Sequence, residues 1–97
     1  MKINNIMSLG VGKVLGSLVG PAPIVGPGVP NVLVEGLPCS VMGDKGMPHG
    51  EPPHSSPIIM SGNPTVLVGG KPIVREMSSI ASCGHPVMKG AITVRTL

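Results

Sequence analysis

Two short apolar runs divide the chain into units of strand and turn. Val32-Leu33-Val34 is followed by Glu35-Gly36, and Val66-Leu67-Val68 is followed by Gly69-Gly70. Short β-branched runs framed by turn residues are typical of β-strands. Glycine-rich turns of two residues join the strands of β-hairpins, because both central residues take positive φ. The pattern therefore predicts two β-hairpins.

The hairpin pattern recurs at a fixed spacing along the chain. Segment 25–38 returns 34 positions later as 59–72, and a shorter version follows at 90–95. Repetition at a fixed period indicates a repeated structural unit. We expect a pseudo-threefold arrangement in which residues 1–30 supply the opening strands. The C-terminal strand 92–97 then pairs with the N-terminal segment, which closes the ring and covers a free edge.

The composition supports a small all-β protein over residues 1–97, with one domain. The chain has 15 Gly and 12 Pro, which excludes long helices, and its apolar residues are mostly β-branched or aliphatic. With 41% hydrophobic and 11% charged residues, it lacks the signature of a disordered chain. Because it has no Phe, Tyr or Trp, its core is thin, and we expect a metal, a disulfide or a partner chain to stabilise it.

Charge and hydropathy exclude several classes of function. The net charge of +3 is spread along the chain without a basic cluster, and no aromatic side chain is present for base stacking, so we expect no nucleic-acid partner. Residues 1–20 have neither the layout of a secretory signal nor an apolar run long enough for a membrane anchor. The seven methionines are scattered, and we interpret them as filler of the aromatic-free core.

The polar segments that follow the two hairpins contain every histidine of the chain. A shift of 34 positions places Cys83 over His49, and a shortening of three residues places His85 over His54. Three imidazoles and one thiolate match the tetrahedral nitrogen and sulfur coordination of structural Zn²⁺, and iron is the alternative because imidazole suits it too. The predicted metal ligands are His49, His54, Cys83 and His85.

Other residues in these segments suggest weaker hypotheses. Glu51 could act as a general base, but four protein ligands leave no open position for water on the metal. Cys39 could act as a nucleophile or pair with Cys83, although no histidine is near it in the sequence. We therefore expect no catalytic residue, a packed Cys39 and a solvated Glu51.

The motif around the second strand of each hairpin resembles the proline-alanine-alanine-arginine (PAAR) repeat family. Gly70-Lys71-Pro72-Ile73-Val74-Arg75 has the frame of the motif, and Gly36-Leu37-Pro38-Cys39-Ser40 has it again, followed by the Gly43-Asp44 pair common in the family. The resemblance covers most of residues 24–97. The sequence departs from the motif where Val41 replaces its arginine and where Ile73-Val74 replace its alanines, so the motif arginine is not treated as a functional group.

This resemblance implies a cone-shaped, pseudo-threefold protein that holds a metal near its apex. It implies a non-enzymatic tip that caps and sharpens the trimeric β-helical spike of a contractile machine, with one tip per trimer, no self-oligomer and transient contact with the target membrane. We expect the central spike of a phage tail baseplate in the virion. The alternative is a type VI secretion tip, cytoplasmic before export, that also serves as an effector adaptor. A small metalloenzyme that attacks the cell envelope is a further alternative.

Overall fold

The computed structural model describes residues 9–96, which contain β-structure and no helix. The predicted all-β class is confirmed. No helix in residues 9–96 is long and apolar enough to span a bilayer. Residues 1–8 of the expected opening segment and residue 97 of the expected last strand lie outside the described residues. The strands are β1 (Leu9–Gly10), β2 (Leu18–Val19), β3 (Ala22–Gly26), β4 (Val29–Val34), β5 (Leu37–Cys39), β6 (Lys45–Gly46), β7 (Asn63–Val68), β8 (Lys71–Ile73), β9 (Val87–Met88) and β10 (Arg95–Thr96).

Both predicted hairpins are present and have the same register. Strands β4 and β5 pair Leu33 with Pro38, and β7 and β8 pair Leu67 with Pro72 at positions 34 residues further on. Each hairpin has a register shift at the same place, between Val29 and Leu33 in the first and between Asn63 and Leu67 in the second. All four turn residues have positive φ, as a type I′ turn requires: Glu35 at 51°, Gly36 at 85°, Gly69 at 61° and Gly70 at 82°.

The third unit is an antiparallel strand pair that resembles the hairpins, but its two strands come from opposite ends of the chain. Strand β10 pairs with β1, with Arg95 opposite Gly10 in the position of Leu33 opposite Pro38. The pairing continues where the amide of Val11 donates to the Val94 carbonyl at 2.9 Å. The prediction that the C-terminal strand pairs with the N-terminal segment is therefore confirmed.

A closed cycle of three backbone hydrogen bonds joins the three units. The Gly12 amide donates to the Val74 carbonyl (2.7 Å), Val74 donates to Ser40 (3.1 Å), and Ser40 donates to Gly12 (3.0 Å). These residues occupy equivalent positions, each following the second strand of its own unit. Because every unit donates to one neighbour and accepts from the other, the cycle defines a pseudo-threefold axis.

Two layers of core lie along the chain's three units. One cluster is shared by the hairpins and contains Val11, Cys39 and Ile73 at equivalent positions, together with Val34 and Ala91. The other contains Val14, Val19, Val74 and Ala81 and a second set, the fully buried Ile24, Ile59 and Val87. The members of this set are equivalent by their backbone hydrogen bonds, since their amides donate to the carbonyls of Ser17, Asp44 and Ser79, respectively. Small side chains from all three units, most of them β-branched, fill both clusters, so the core needs no aromatic residue.

Six backbone segments close into a ring around the second of these clusters. Strands β6, β3, β2 and β9 form one sheet in that order. Isolated bridges close the remaining gap through the segments around residues 58–59 and 80–81. The bridges pair Lys45 with Ile58, Ile59 with Ala81 and Ile80 with Pro86. Since alternate residues of a strand point to opposite faces, this ring has buried inward positions and exposed outward ones.

The expectation that methionines fill the core is wrong for the described residues. All five methionines between residues 9 and 96 are exposed, from 37% for Met42 to 64% for Met77. Met60 and Met88 directly follow the buried Ile59 and Val87, so strand alternation turns them outward. The narrow interior accepts short β-branched residues, and the longer methionine side chains lie outside.

The turn of the first hairpin holds the third unit through one carboxylate. Glu35 accepts hydrogen bonds from the amides of Ile92 (3.0 Å) and Thr93 (2.9 Å) and from the Thr93 hydroxyl (2.8 Å). Its other oxygen lies 2.6 Å from the Lys13 ammonium. The hydrogen bond from Lys13, and then those from Thr93, lower the pKa of Glu35 from 4.5 to about 2. Gly69 occupies the equivalent turn position, so the second hairpin lacks this carboxylate.

Glu35→Gln is expected to lower the melting temperature by a few degrees at neutral pH, because glutamine keeps an acceptor but loses the charge. A carboxylate with a lowered pKa stabilises the fold above its ordinary pKa, and that contribution is lost as the pH falls towards the folded value. The difference between parent and variant should therefore persist from pH 7 to about 4.5 and vanish towards pH 2. Thermal melts across this range check it, and a difference independent of pH would refute the role of the charge.

Candidate metal centre

His49 and His54 lie on one loop that follows β6 and is closed by its own backbone. The His49 amide donates to the His54 carbonyl at 3.0 Å, and the His54 amide donates to the Glu51 carbonyl at 2.7 Å. Prolines 48, 52 and 53 restrict the same loop. The loop therefore presents two imidazoles that are five residues apart at one place.

Cys83 and His85 lie on a tighter turn that precedes β9. The Gly84 amide donates to the Ala81 carbonyl and the Ala81 amide donates to the His85 carbonyl, both at 2.9 Å. Gly84 has a φ of 92°, a conformation that glycine adopts without strain. Cys83 packs against the core cluster inside the six-segment ring, which fixes the base of the turn.

The two loops bring all four predicted ligands together at one end of the molecule. One ligand atom from each of His49, His54, Cys83 and His85 lies within 4.8 Å of the others, and all four side chains are half-buried. The shorter separations are 3.2 Å between His54 Nδ1 and His49 Nε2, and 3.6 Å between Cys83 Sγ and His85 Nδ1. The three imidazole rings lie 5.0 to 5.3 Å apart, centre to centre.

The two shorter separations match those of a tetrahedral metal site. Ligands at Zn–N and Zn–S bond lengths and tetrahedral angles are about 3.3 Å apart for two nitrogens and about 3.6 Å apart for nitrogen and sulfur. The observed 3.2 and 3.6 Å agree with both values. When both of these nitrogens are deprotonated, a metal ion would give their facing lone pairs a common partner. The group can therefore hold one ion with four protein ligands.

A backbone carbonyl fixes which nitrogen of His49 faces the site. His49 Nδ1 lies 3.1 Å from the Met47 carbonyl oxygen, which can only accept, so Nδ1 carries the proton. The lone pair is then on Nε2, the atom that faces His54. Such a hydrogen bond to the second ring nitrogen is how proteins orient a ligating histidine.

Gly20 lies against the His85 imidazole, and the sequence did not identify it as a residue of the site. It belongs to the β2–β3 turn of the third unit, which supplies no ligand, and it has a φ of 60°. A Cβ added at Gly20 would overlap Nδ1 of His85, a candidate ligand atom. The sequence signal was the Gly20-Pro21 pair, which indicates a turn but does not indicate that the turn contacts His85.

The other candidate residues stay apart from this group. Cys39 is fully buried, and burial, with a smaller contribution from the Asp44 charge, raises the pKa of its thiol to about 11. Its thiol is therefore protonated and shielded, which is unsuited to a nucleophile. Both cysteines are free, so the alternative of a Cys39–Cys83 disulfide is wrong in this structure. Glu51 is exposed and is not one of the four clustered groups.

The comparison with protein families supports the interpretation of the repeat. The family model described as PAAR motif matches residues 20–94 of the 97-residue chain. This range includes both complete hairpins and all four candidate ligands. No curated protein matches the sequence. The chain therefore belongs to the PAAR motif family, which is typical of the spike tips of contractile injection systems.

Proposed function

We propose that the chain is a non-enzymatic tip that caps the blunt end of a trimeric β-helical spike, with one chain per spike trimer. The observation that carries the proposal is the closed cycle through Gly12, Ser40 and Val74, which gives one chain a pseudo-threefold axis. A single chain with such an axis can present a similar surface to each of the three chains of a true trimer. Because each tip already contains the three units, we expect the free protein to be a monomer.

The hairpin units supply the docking surface in this proposal. Each carries exposed apolar side chains: Leu33 is 62% exposed, Leu67 is 59% exposed at the equivalent position, and Ile92 of the third unit is 80% exposed. Surfaces of this kind on a small protein are typical of contacts with a partner. Covering them on the spike would remove their apolar area from water and stabilise the complex.

We further propose that His49, His54, Cys83 and His85 bind one Zn²⁺, with iron as the alternative. The nitrogen and sulfur donor set, its clustering within 4.8 Å and the two separations of tetrahedral length support it. The ion would join a loop from each of two successive units and stiffen the end that meets the target envelope first. With four protein ligands no coordination position is left for substrate or water, which supports a structural role over a metalloenzyme.

The first host machine in this proposal is a phage tail, where the chain would form the tip of the baseplate spike. A type VI secretion spike is the alternative, with the chain made in the cytoplasm, exported, and able to carry effectors in trans. A pull-down with this chain as bait, against a phage baseplate spike and against a type VI secretion spike, decides between the two.

A pull-down with the C-terminal part of the spike tests the docking surface. Leu33→Ser with Leu67→Ser should weaken spike binding by about a hundredfold or more, because two apolar contacts of about 1.5 kcal/mol or more are lost. Met60→Ser with Met88→Ser is the matched control, since these side chains are similarly exposed but lie outside the hairpins. Equal binding by the parent and the hairpin variant, or no binding to any β-helical spike, would contradict the proposal.

A further inference from the structure

The outward positions of the six-segment ring carry a belt of apolar side chains. Val25 is 41% exposed, Ile58 37%, Met60 62%, Ile80 40% and Met88 42%. We call these five residues the waist belt. They belong to the ring around the core cluster next to the metal site, and they are separate from the hairpin surface proposed to meet the spike.

The waist belt surrounds the molecule and does not form a patch on one side. Val25, Met60 and Met88 each directly follow one of the three equivalent buried residues of the ring. They therefore recur once in each unit around the pseudo-threefold axis. The amide of Met60 donates to the Ile80 carbonyl, so those two belt positions also adjoin one another. A belt on every side fits an apolar medium that encircles the protein better than it fits a partner at one face.

The charges near the belt favour an anionic partner. Three of the four carboxylates of the chain accept hydrogen bonds from the protein itself: Glu35, Asp44 and Glu76. Lys45 and Lys89 are exposed next to belt residues, and neither forms an ion pair within residues 9–96. Two lysines that form no ion pair within residues 9–96 therefore lie beside the belt.

A cavity within the belt adds a recess for an apolar group. Its volume is about 300 Å³, and Val25, Pro57 and Ile58 line it together with Lys45. Pockets of this size with an apolar lining and few polar groups are typical of small apolar ligands or parts of them. An apolar chain in this recess would place an anionic head beside the Lys45 ammonium.

We propose that the waist belt is a lipid-contacting surface for anionic bilayers. Its methionine and β-branched side chains enter the acyl region, and Lys45 and Lys89 meet the phosphates of the headgroups. Flexible methionine side chains suit such a contact, because they adapt to a fluid partner. Combined apolar burial and attraction to anionic headgroups is how surface-bound proteins gain membrane affinity. The biological use of the belt rests on the proposed function, in which the tip enters a cell envelope.

Vesicle flotation with the full-length, metal-loaded protein tests the proposal. The vesicles contain phosphatidylcholine, with or without phosphatidylglycerol. The parent should float with the phosphatidylglycerol vesicles and not with phosphatidylcholine alone. Met60→Ser with Met88→Ser should reduce the vesicle-bound fraction by about tenfold. Lys45→Gln with Lys89→Gln should abolish the preference for phosphatidylglycerol. Leu33→Ser with Leu67→Ser is the matched control and should bind vesicles like the parent.

Three results would overturn the lipid surface. They are no flotation of the parent, equal losses in the belt and hairpin variants, or capture by an acidic polypeptide without any binding to vesicles. Thermal melts of each variant show that it is folded. The spike pull-down is a separate measurement, so its failure with intact vesicle binding would reject the spike-capping role and keep the belt.

Discussion

Replacing His54 or Cys83 with alanine should release the metal and lower the melting temperature by about 12 °C or more. Structural zinc contributes about 10–16 kcal/mol to small domains, whereas an entire fold of ordinary size is stable by about 5–15 kcal/mol. Even a loss of about 3 kcal/mol corresponds to about 12–24 °C for a chain of this length. The loss should be large here, because one ion would join residues that lie on two separate loops.

The matched control is Glu51→Ala, on the same loop as His49 and His54. Glu51 is exposed and its carboxylate is not part of the ligand group, so this variant should keep the metal and melt like the parent. Metal content by elemental analysis and melting by circular dichroism provide the two readouts. If the His54 and Cys83 variants retain metal and melt like the Glu51 variant, the ligand assignment is wrong.

Gly20→Ala should weaken metal binding although every candidate ligand is retained. The added Cβ would overlap Nδ1 of His85, so the imidazole must leave its position in the tetrahedral group. The φ of 60° adds a backbone cost of about 1–2 kcal/mol for any residue with a Cβ. We expect a loss of metal affinity of tenfold or more in competition with a chelator, since a ligand is displaced and not merely loosened.

Gly70→Ala is a control that separates the overlap with His85 from the backbone cost of a positive φ. Gly70 also has a positive φ, 82°, but a Cβ there would meet nothing within 4 Å. This variant should therefore lower the melting temperature while its metal affinity stays that of the parent. Equal metal affinities for the Gly20 and Gly70 variants would show that Gly20 does not position His85.

Local signals in the sequence predicted the hairpins and the candidate ligands. The turns at Glu35-Gly36 and Gly69-Gly70 need positive φ, which their glycines make easy, and the apolar runs before them fix the strands. The same shift of 34 residues that aligns these hairpins aligns Cys83 with His49. Because the chain repeats, a local pattern thus predicted that residues far apart in sequence occupy equivalent positions.

Contacts that depend on long-range packing could not be predicted in the same way. The pairing of the C-terminal strand with the N-terminal segment was predicted, but its register was not, because the strand at Leu9–Gly10 is two residues long and no proline or paired turn marks it. Gly20 under His85 depends on the path of a third loop that carries no ligand. The outward methionines were missed because hydrophobicity alone does not tell which side of a closed ring a residue occupies.

Native mass spectrometry of the chain co-expressed with its spike tests the central claim. The claim is that one pseudo-threefold chain binds a trimeric spike and that a metal ion joins its two ligand loops. The account predicts a complex of three spike chains, one copy of this chain and one metal ion, with the ion lost in the Cys83→Ala variant. A complex with three copies of this chain per spike trimer, or one in which the parent carries no metal, would contradict it.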